Sequence, residues 1–290
     1  PSALGVLAIG HESGSLGAGV DIATALQMFR TAASFGNPGA MRRLGSAYAR
    51  AELGLPINMA RAEAWYLSAS MFGNRRAAME LAEFYLLGTK DLVGGPADGY
   101  AVIERLAADG LTNARLRMAR AVLLGQGTEA NPELALKLLN ELSAEGVSAA
   151  DFRLGQIYEF GQGGVAIDLA KARDRYRAAA RKGHLPATDF YARALYAGRG
   201  GERDRAGAAN WWQKAAEKGH APSIANLAWV RCSSSEAEVR DPLGGSVFSA
   251  FGIWGPGKTA KVQCDAAAMI SPRMFRRASE PRCPSGSRGR

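Results

Sequence analysis

The sequence predicts an all-α protein, an α/α solenoid of about six to seven helix-turn-helix repeats followed by an irregular basic C-terminal tail. Three observations predict it. Gly36, Gly73, Gly110, Gly146, Gly183 and Gly219 follow one another at intervals of 37, 37, 36, 37 and 36 residues, and a fixed period of this length marks a stacked repeat. Apolar residues recur at helical spacing before each of these glycines. Aromatics make up only 8% of a chain that is 47% hydrophobic, which favours close helix packing through small side chains.

Each repeat opens with a first helix carrying a large residue followed by a small one: Leu7-Ala8, Leu44-Gly45, Leu81-Ala82, Met118-Ala119, Leu154-Gly155, Tyr191-Ala192 and Leu227-Ala228. Four residues on, Tyr48, Tyr85, Val122, Tyr158 and Leu195 extend the same stripe. Pro38, Pro186 and Pro222 fall where a first helical turn accepts a residue lacking N–H. A tight turn follows, marked by Gly14, Gly88, Gly125, Gly161 and Gly198, with Ala51 in that slot of the second repeat.

The second helix is read back from the anchor glycine. Seven before it stand Phe29, Tyr66, Ile103, Leu139, Tyr176 and Trp212, and four before it Ala32, Ala69, Leu106, Leu142, Ala179 and Ala215. Those offsets share one helix face. Eleven before it come Ala25, Ala62, Gly99, Ala135, Ala172 and Ala208, small wherever a neighbouring backbone approaches. The anchor itself suits a left-handed helix C-cap. The third repeat departs: Lys90 to Gly95 replace the short loop and Gly99 stands where alanine is usual, which predicts a second helix that is shorter or starts late.

A helical hairpin with one apolar face cannot bury that face alone, so successive hairpins must stack. Residues 1–230 are assigned to this solenoid. Residues 231–255 read as a degenerate seventh repeat or cap, with Phe248 and Phe251 in apolar slots but Gly244, Gly245 and Gly252 among them. Residues 256–290 read as a disordered basic tail. The net charge of +9 is concentrated there: this stretch holds 8 basic and 2 acidic residues, so the preceding 255 residues carry only +3. A nearly balanced body argues against a general nucleic-acid surface. Cys232, Cys264 and Cys283 all lie late, so no disulfide framework staples the repeats. No run of apolar residues is long enough to span a bilayer, and no leader pattern stands at the start. Pro1 in place of an initiating methionine, at a repeat seam, predicts that a leader or earlier repeats precede it.

At this point the residues resemble the Sel-one-like repeat, a relative of the tetratricopeptide repeat. The stretch Leu154-Gly155-Gln156-Ile157-Tyr158 through Gly161-Gln162-Gly163-Gly164-Val165, then Asp168, Ala170-Lys171-Ala172 and Tyr176 to His184, is similar to the family pattern almost end to end. Trp211-Trp212-Gln213-Lys214-Ala215-Ala216-Glu217-Lys218-Gly219-His220 is similarly close. The resemblance implies a non-enzymatic scaffold, bacterial, in a periplasmic or secreted setting rather than the cytoplasm. One branch of the family pairs cysteines within each repeat and is linked to β-lactam chemistry; with no cysteine in the first six repeats, that activity is not carried over.

No catalytic or metal-binding pattern emerges, and no cofactor is predicted. His184 and His220 occupy the same repeat position, as structural residues would. Trp65-Tyr66 and Trp211-Trp212 lie on second-helix stripes and read as core. Arg173, Arg175, Arg177, Arg181 and Lys182 read as a solvated face. Gly252 to Thr259 spell the phosphate-loop pattern G-x-x-x-x-G-K-[ST], but such a loop needs a strand before it, a helix after it and a parallel sheet around it. Only 31 residues follow Thr259. A chance match is the better reading.

The resemblance places partner binding on a concave surface lined by first helices. Counting from each large-residue marker, the inward slots hold Arg42, Arg50, Arg76 and Arg120 towards the start, and Phe152, Gln156, Phe160, Arg193, Tyr196 and Trp229 towards the end. Ser46, Met79, Glu83, Glu159 and Asp189 share those slots. Arginines followed by exposed aromatics suit an extended protein partner with acidic and apolar segments. The alternative is an envelope component contacting polysaccharide or its secretion machinery, with nucleotide binding by residues 252–259 third.

Overall fold

A computed structural model describes residues 2–15 and 19–233, with side chains described for 3–15 and 19–230. The degenerate seventh repeat beyond Ser233, the phosphate-loop match and the basic tail lie outside the described residues. Within them the chain forms thirteen α-helices and no strand. First helices are α1 (Ser2–Ser13), α3 (Pro38–Arg50), α5 (Arg75–Leu86), α7 (Thr112–Leu124), α9 (Ser148–Phe160), α11 (Leu185–Ala197) and α13 (Ala221–Ser233). Second helices are α2 (Ile22–Ser34), α4 (Met59–Met71), α6 (Pro96–Ala108), α8 (Pro132–Ala144), α10 (Leu169–Arg181) and α12 (Arg205–Ala216). The chain divides into two compact units: Pro1–Glu145 with Gly161–Val165, and Gly146–Phe160 with the described part of Ala166–Arg290.

The period fixes where helices start. Every second helix begins fourteen residues before its anchor glycine, at Ile22, Met59, Pro96, Pro132, Leu169 and Arg205. The residue just before each start is a short polar cap in five of the six: Asp21, Asn58, Asn131, Asp168 and Asp204 each accept the backbone N–H three residues on, satisfying an amide that the first turn leaves without a partner. Gly95 breaks the series, and there the cap is supplied in reverse, Asp98 accepting the Gly95 N–H at 2.8 Å. First helices are capped one residue after the anchor, by Asn37, Asn74 and His184.

The third repeat corrects the sequence expectation. Its second helix, α6, has 13 residues and starts in the common register. Gly99 does not weaken it; a Cβ there would lie 2.8 Å from the Ala82 carbonyl oxygen and 2.9 Å from the Tyr85 Cβ, so its absence lets α6 close against α5. The extra residues are accommodated in the loop between them. In the second repeat, Ala51 takes the left-handed conformation (φ 55°, ψ 43°) as C-cap of α3, a backbone state that its Cβ disfavours.

In the first unit the core is built by the expected stripe. Phe29, Tyr66, Ile103 and Leu139 are all buried, together with Ala25, Ala62, Gly99 and Ala135 on the small-residue row. Leu44 and Leu81 pack with Phe29 and Tyr66 from the first helices. Leu7 departs from the stripe: it is 41% exposed, and Ala8 beside it is the buried residue of α1. In the second unit, Tyr176 and Trp212 fill the same position, packed with Tyr191, Leu195 and Leu227. Gly155 shows why the small partner matters: a Cβ there would sit 2.5 Å from the Tyr176 ring.

Candidate functional site

The first helices of the first unit carry an excess of arginine that the structure partly neutralises. Arg42 on α3 and Arg76 on α5 converge on one carboxylate, Glu80, each at 3.0 Å. Arg43 bridges Glu12 and Glu52, and Arg117 on α7 meets Glu83 on α5 at 2.6 Å. Arg50 is exposed at the end of α3. Its charge faces the buried Tyr66 hydroxyl, which burial and the nearby Glu80 push up to about 12. Arg120 is exposed on α7, at a shallow depression lined by Glu83, Leu86, Leu87, Arg117 and Gln126.

In the second unit the aromatic candidates are half-buried and stacked on one another. Phe152 lies edge-on to Phe190 at 5.3 Å between centroids, and its ring also meets Tyr176 and the His184 imidazole. Tyr196 stacks with Trp212 and, edge-on, with Trp229 at 5.6 Å. Arg193 lies 5.1 Å from the centre of the Phe190 ring, and Arg203 and Arg205 flank Tyr196, the geometry of cation–π attraction. Gln156 accepts from Arg153 at 2.9 Å. The expected run of exposed aromatics therefore reduces to Phe160, 53% exposed at the end of α9; neighbouring rings cover much of the rest.

Three buried carboxylates, invisible to the sequence reading as structural groups, organise these surfaces. Asp189, assigned to an inward slot, is buried instead; it accepts from Trp212 Nε1 at 2.8 Å and Asn226 Nδ2 at 2.7 Å. Asp151, in the first turn of α9, is 1% exposed and receives Lys182 Nζ at 2.7 Å and Arg175 at 3.4 Å, so two members of the basic row on α10 are ion-paired rather than simply solvated. Glu63 on α4 is 4% exposed. It accepts from the Tyr85 hydroxyl at 2.5 Å and from the backbone N–H groups of Val93 and Gly94 at 3.0 and 3.1 Å, which fastens the long loop of the third repeat. Burial pushes the Glu63 carboxyl up, but the Tyr85 hydroxyl and the two amides outweigh it and hold it below its ordinary value.

His184 is a helix cap: its Nδ1 accepts the Ala187 N–H at 3.1 Å, which requires a neutral ring. Burial, with Arg153 and His220 nearby, lowers its pKa. Tyr66 and Trp212 lie in the core, as their stripe requires, with Trp65 and Trp211 half-buried beside them. Among the described residues no cluster of His, Cys, Asp and Glu has a metal-binding arrangement, and no helix is long and apolar enough to cross a membrane.

Stacked helical hairpins bearing arginine and aromatic side chains on their first helices define a helical-repeat protein. The model of the Sel1 repeat matches residues 1–37, 38–74, 112–147, 148–184 and 186–220. The chain belongs to the Sel1 repeat family. The unmatched repeat between 74 and 112 is the one whose loop Glu63 holds, and it keeps the helical hairpin all the same. A solved protective antigen present in uropathogenic Escherichia coli strains, displaying an SLR fold, is 29% identical with a TM-score of 0.53, covering 82% of this chain and 50% of its own. A Sel1 repeat protein from Oxalobacter formigenes shares the fold at 22% identity, TM-score 0.58, covering 86% of this chain and 95% of that one. The uncharacterized protein NMB1327 of Neisseria meningitidis serogroup B is 32% identical over 112 residues, 39% of this chain and 23% of that protein. The chain thus spans half of the antigen and less than a quarter of the meningococcal protein.

Proposed function

We propose that the protein is a non-enzymatic scaffold that binds an extended segment of a protein partner across the first helices of its repeats. One observation carries this reading. Second helices bury the stripe Phe29, Tyr66, Ile103, Leu139, Tyr176 and Trp212, and first helices keep guanidinium and aromatic groups at least partly accessible, as at Arg50, Arg76, Arg120, Phe160, Arg193 and Trp229. Arginine and aromatic side chains are the groups enriched where proteins dock. A polysaccharide platform needs free ring faces, and here Phe152 packs against Tyr176, His184 and Phe190 while Tyr196 packs against Trp212 and Trp229. A periplasmic or secreted location is part of the same proposal, which fractionation of the native host tests.

The binding test is a pull-down with the full chain as bait. Charge reversal at Arg42, Arg50 and Arg120 should lose protein partners that the wild type retains, and a glycan array should stay blank. Glycan binding insensitive to those arginines contradicts the proposal and favours a polysaccharide role.

A further inference from the structure

On the reading of the chain as a protein scaffold, we propose that the depression between α5 and α7 seats an acidic side chain of the partner together with an apolar neighbour. Charge complementarity carries the argument. The glutamates on the first helices of this unit, Glu12, Glu80 and Glu83, are each already ion-paired with arginine. Other arginines of the same helices are matched from outside them, Arg115 by Glu145 at 2.6 Å and Arg75 by Asp109 at 4.0 Å. Arg50 and Arg120 are the exceptions, and Arg120 is the one that lines the depression. It is exposed and makes no hydrogen bond or ion pair among the described residues, so this guanidinium has its donors available to a carboxylate from outside.

The surroundings of Arg120 define what that carboxylate belongs to. Arg117, one turn earlier on α7, faces the same depression and cancels the charge of Glu83, so an incoming anion meets a surplus of one positive charge. Gln126 adds a side-chain amide to the same wall. The opposite lip is apolar: Leu86 closes α5 and Leu87, its C-cap, is 66% exposed. An isolated phosphate or a nucleic-acid backbone would leave that lip facing water. An acidic residue beside Leu, Val or Phe in an extended segment satisfies both walls, since side chains three to four positions apart on α7 present one face and a carboxylate takes a guanidinium with directional hydrogen bonds.

The test is selection of short random peptides on the full chain, followed by binding of one selected peptide to variants whose fold is checked by circular dichroism. Enriched peptides should pair Asp or Glu with an apolar residue. Arg120→Glu should weaken the selected peptide about tenfold or more, the scale of a desolvated charge contact. Arg120→Gln should weaken it less, Leu87→Ser should weaken it through the apolar lip, and Lys137→Glu, an exposed position on the second helix α8, should leave it unchanged. Enriched peptides without acidic residues, or binding indifferent to both Arg120 and Leu87, overturn this inference while leaving the scaffold reading intact. Equal, Arg120-dependent binding of a single-stranded oligonucleotide overturns it in favour of a general polyanion surface. Failure to enrich any peptide counts against both.

Discussion

Glutamine at position 63 should release the long loop of the third repeat without melting the repeats around it. Glu63 Oε1 accepts the Tyr85 hydroxyl and the Gly94 amide, while Oε2 takes the Val93 amide. Glutamine can keep the first pair of bonds, now to a neutral acceptor, but its NH2 must face the Val93 N–H. Exchanging charge-assisted bonds for neutral ones costs about 1 kcal/mol each, and the lost third bond about as much again, giving roughly 2–3 kcal/mol. Because Val93 is 95% exposed, its amide can find water, so the loss should appear as local opening of the loop. Hydrogen exchange of the Val93 and Gly94 amides should then accelerate by about 30-fold or more, since each 1.4 kcal/mol is a factor of ten. Amides within α2 should keep their protection. Unchanged exchange at 93 and 94 in Glu63→Gln would refute the reasoning, because it would mean that the carboxylate does not hold the loop. The latch has a pH signature too. The folded carboxyl sits below its unfolded value of 4.5, so its contribution is complete above that pH and is lost as pH falls through the lower folded value.

Other perturbations follow from the same geometry. Ala51→Gly should stabilise the protein by about 0.5–1 kcal/mol by relieving the left-handed C-cap of α3, read as a raised urea midpoint; a lowered midpoint contradicts the assigned conformation. Gly155→Ala should destabilise by about 1–3 kcal/mol, because the new methyl meets the Tyr176 ring at 2.5 Å, and a neutral result would show that α9 and α10 are not in the close register described. His184 stays neutral to a lower pH in the folded chain than its ordinary 6.5, so its stabilising cap is complete above pH 6.5 and is lost as pH falls through the depressed folded value. His184→Asn, the residue that caps α3 and α5 in the same slot, should keep the helix start and flatten this dependence in urea titrations below pH 6.5.

Repetition explains how much of the fold the sequence reveals. Phe29, Tyr66, Ile103, Leu139, Tyr176 and Trp212 could be placed in the core because each recurs at one distance from a glycine, and every one is buried. The caps Asp21, Asn58, Asn131, Asp168 and Asp204 carry the same period one residue before five of the six second helices, so that signal was present and would have fixed those helix starts, and extending its period past Gly95 would have placed α6 as well. What repetition does not encode stayed hidden. Asp151, Asp189 and Glu63 are buried through partners 22 to 37 residues away, and a carboxylate in an inward slot looks the same in sequence whether it faces water or an indole N–H. The arginine slots were legible as positions but not as available charge: Arg42 and Arg76 share Glu80, and only the folded chain separates them from Arg120.

Hydrogen exchange of the full chain with and without a peptide it selects tests the scaffold reading most directly. Slowed exchange confined to first helices, with α5 and α7 most affected and the buried second helices unchanged, is the expected result. Protection falling on second helices, or at no described helix at all, would contradict it.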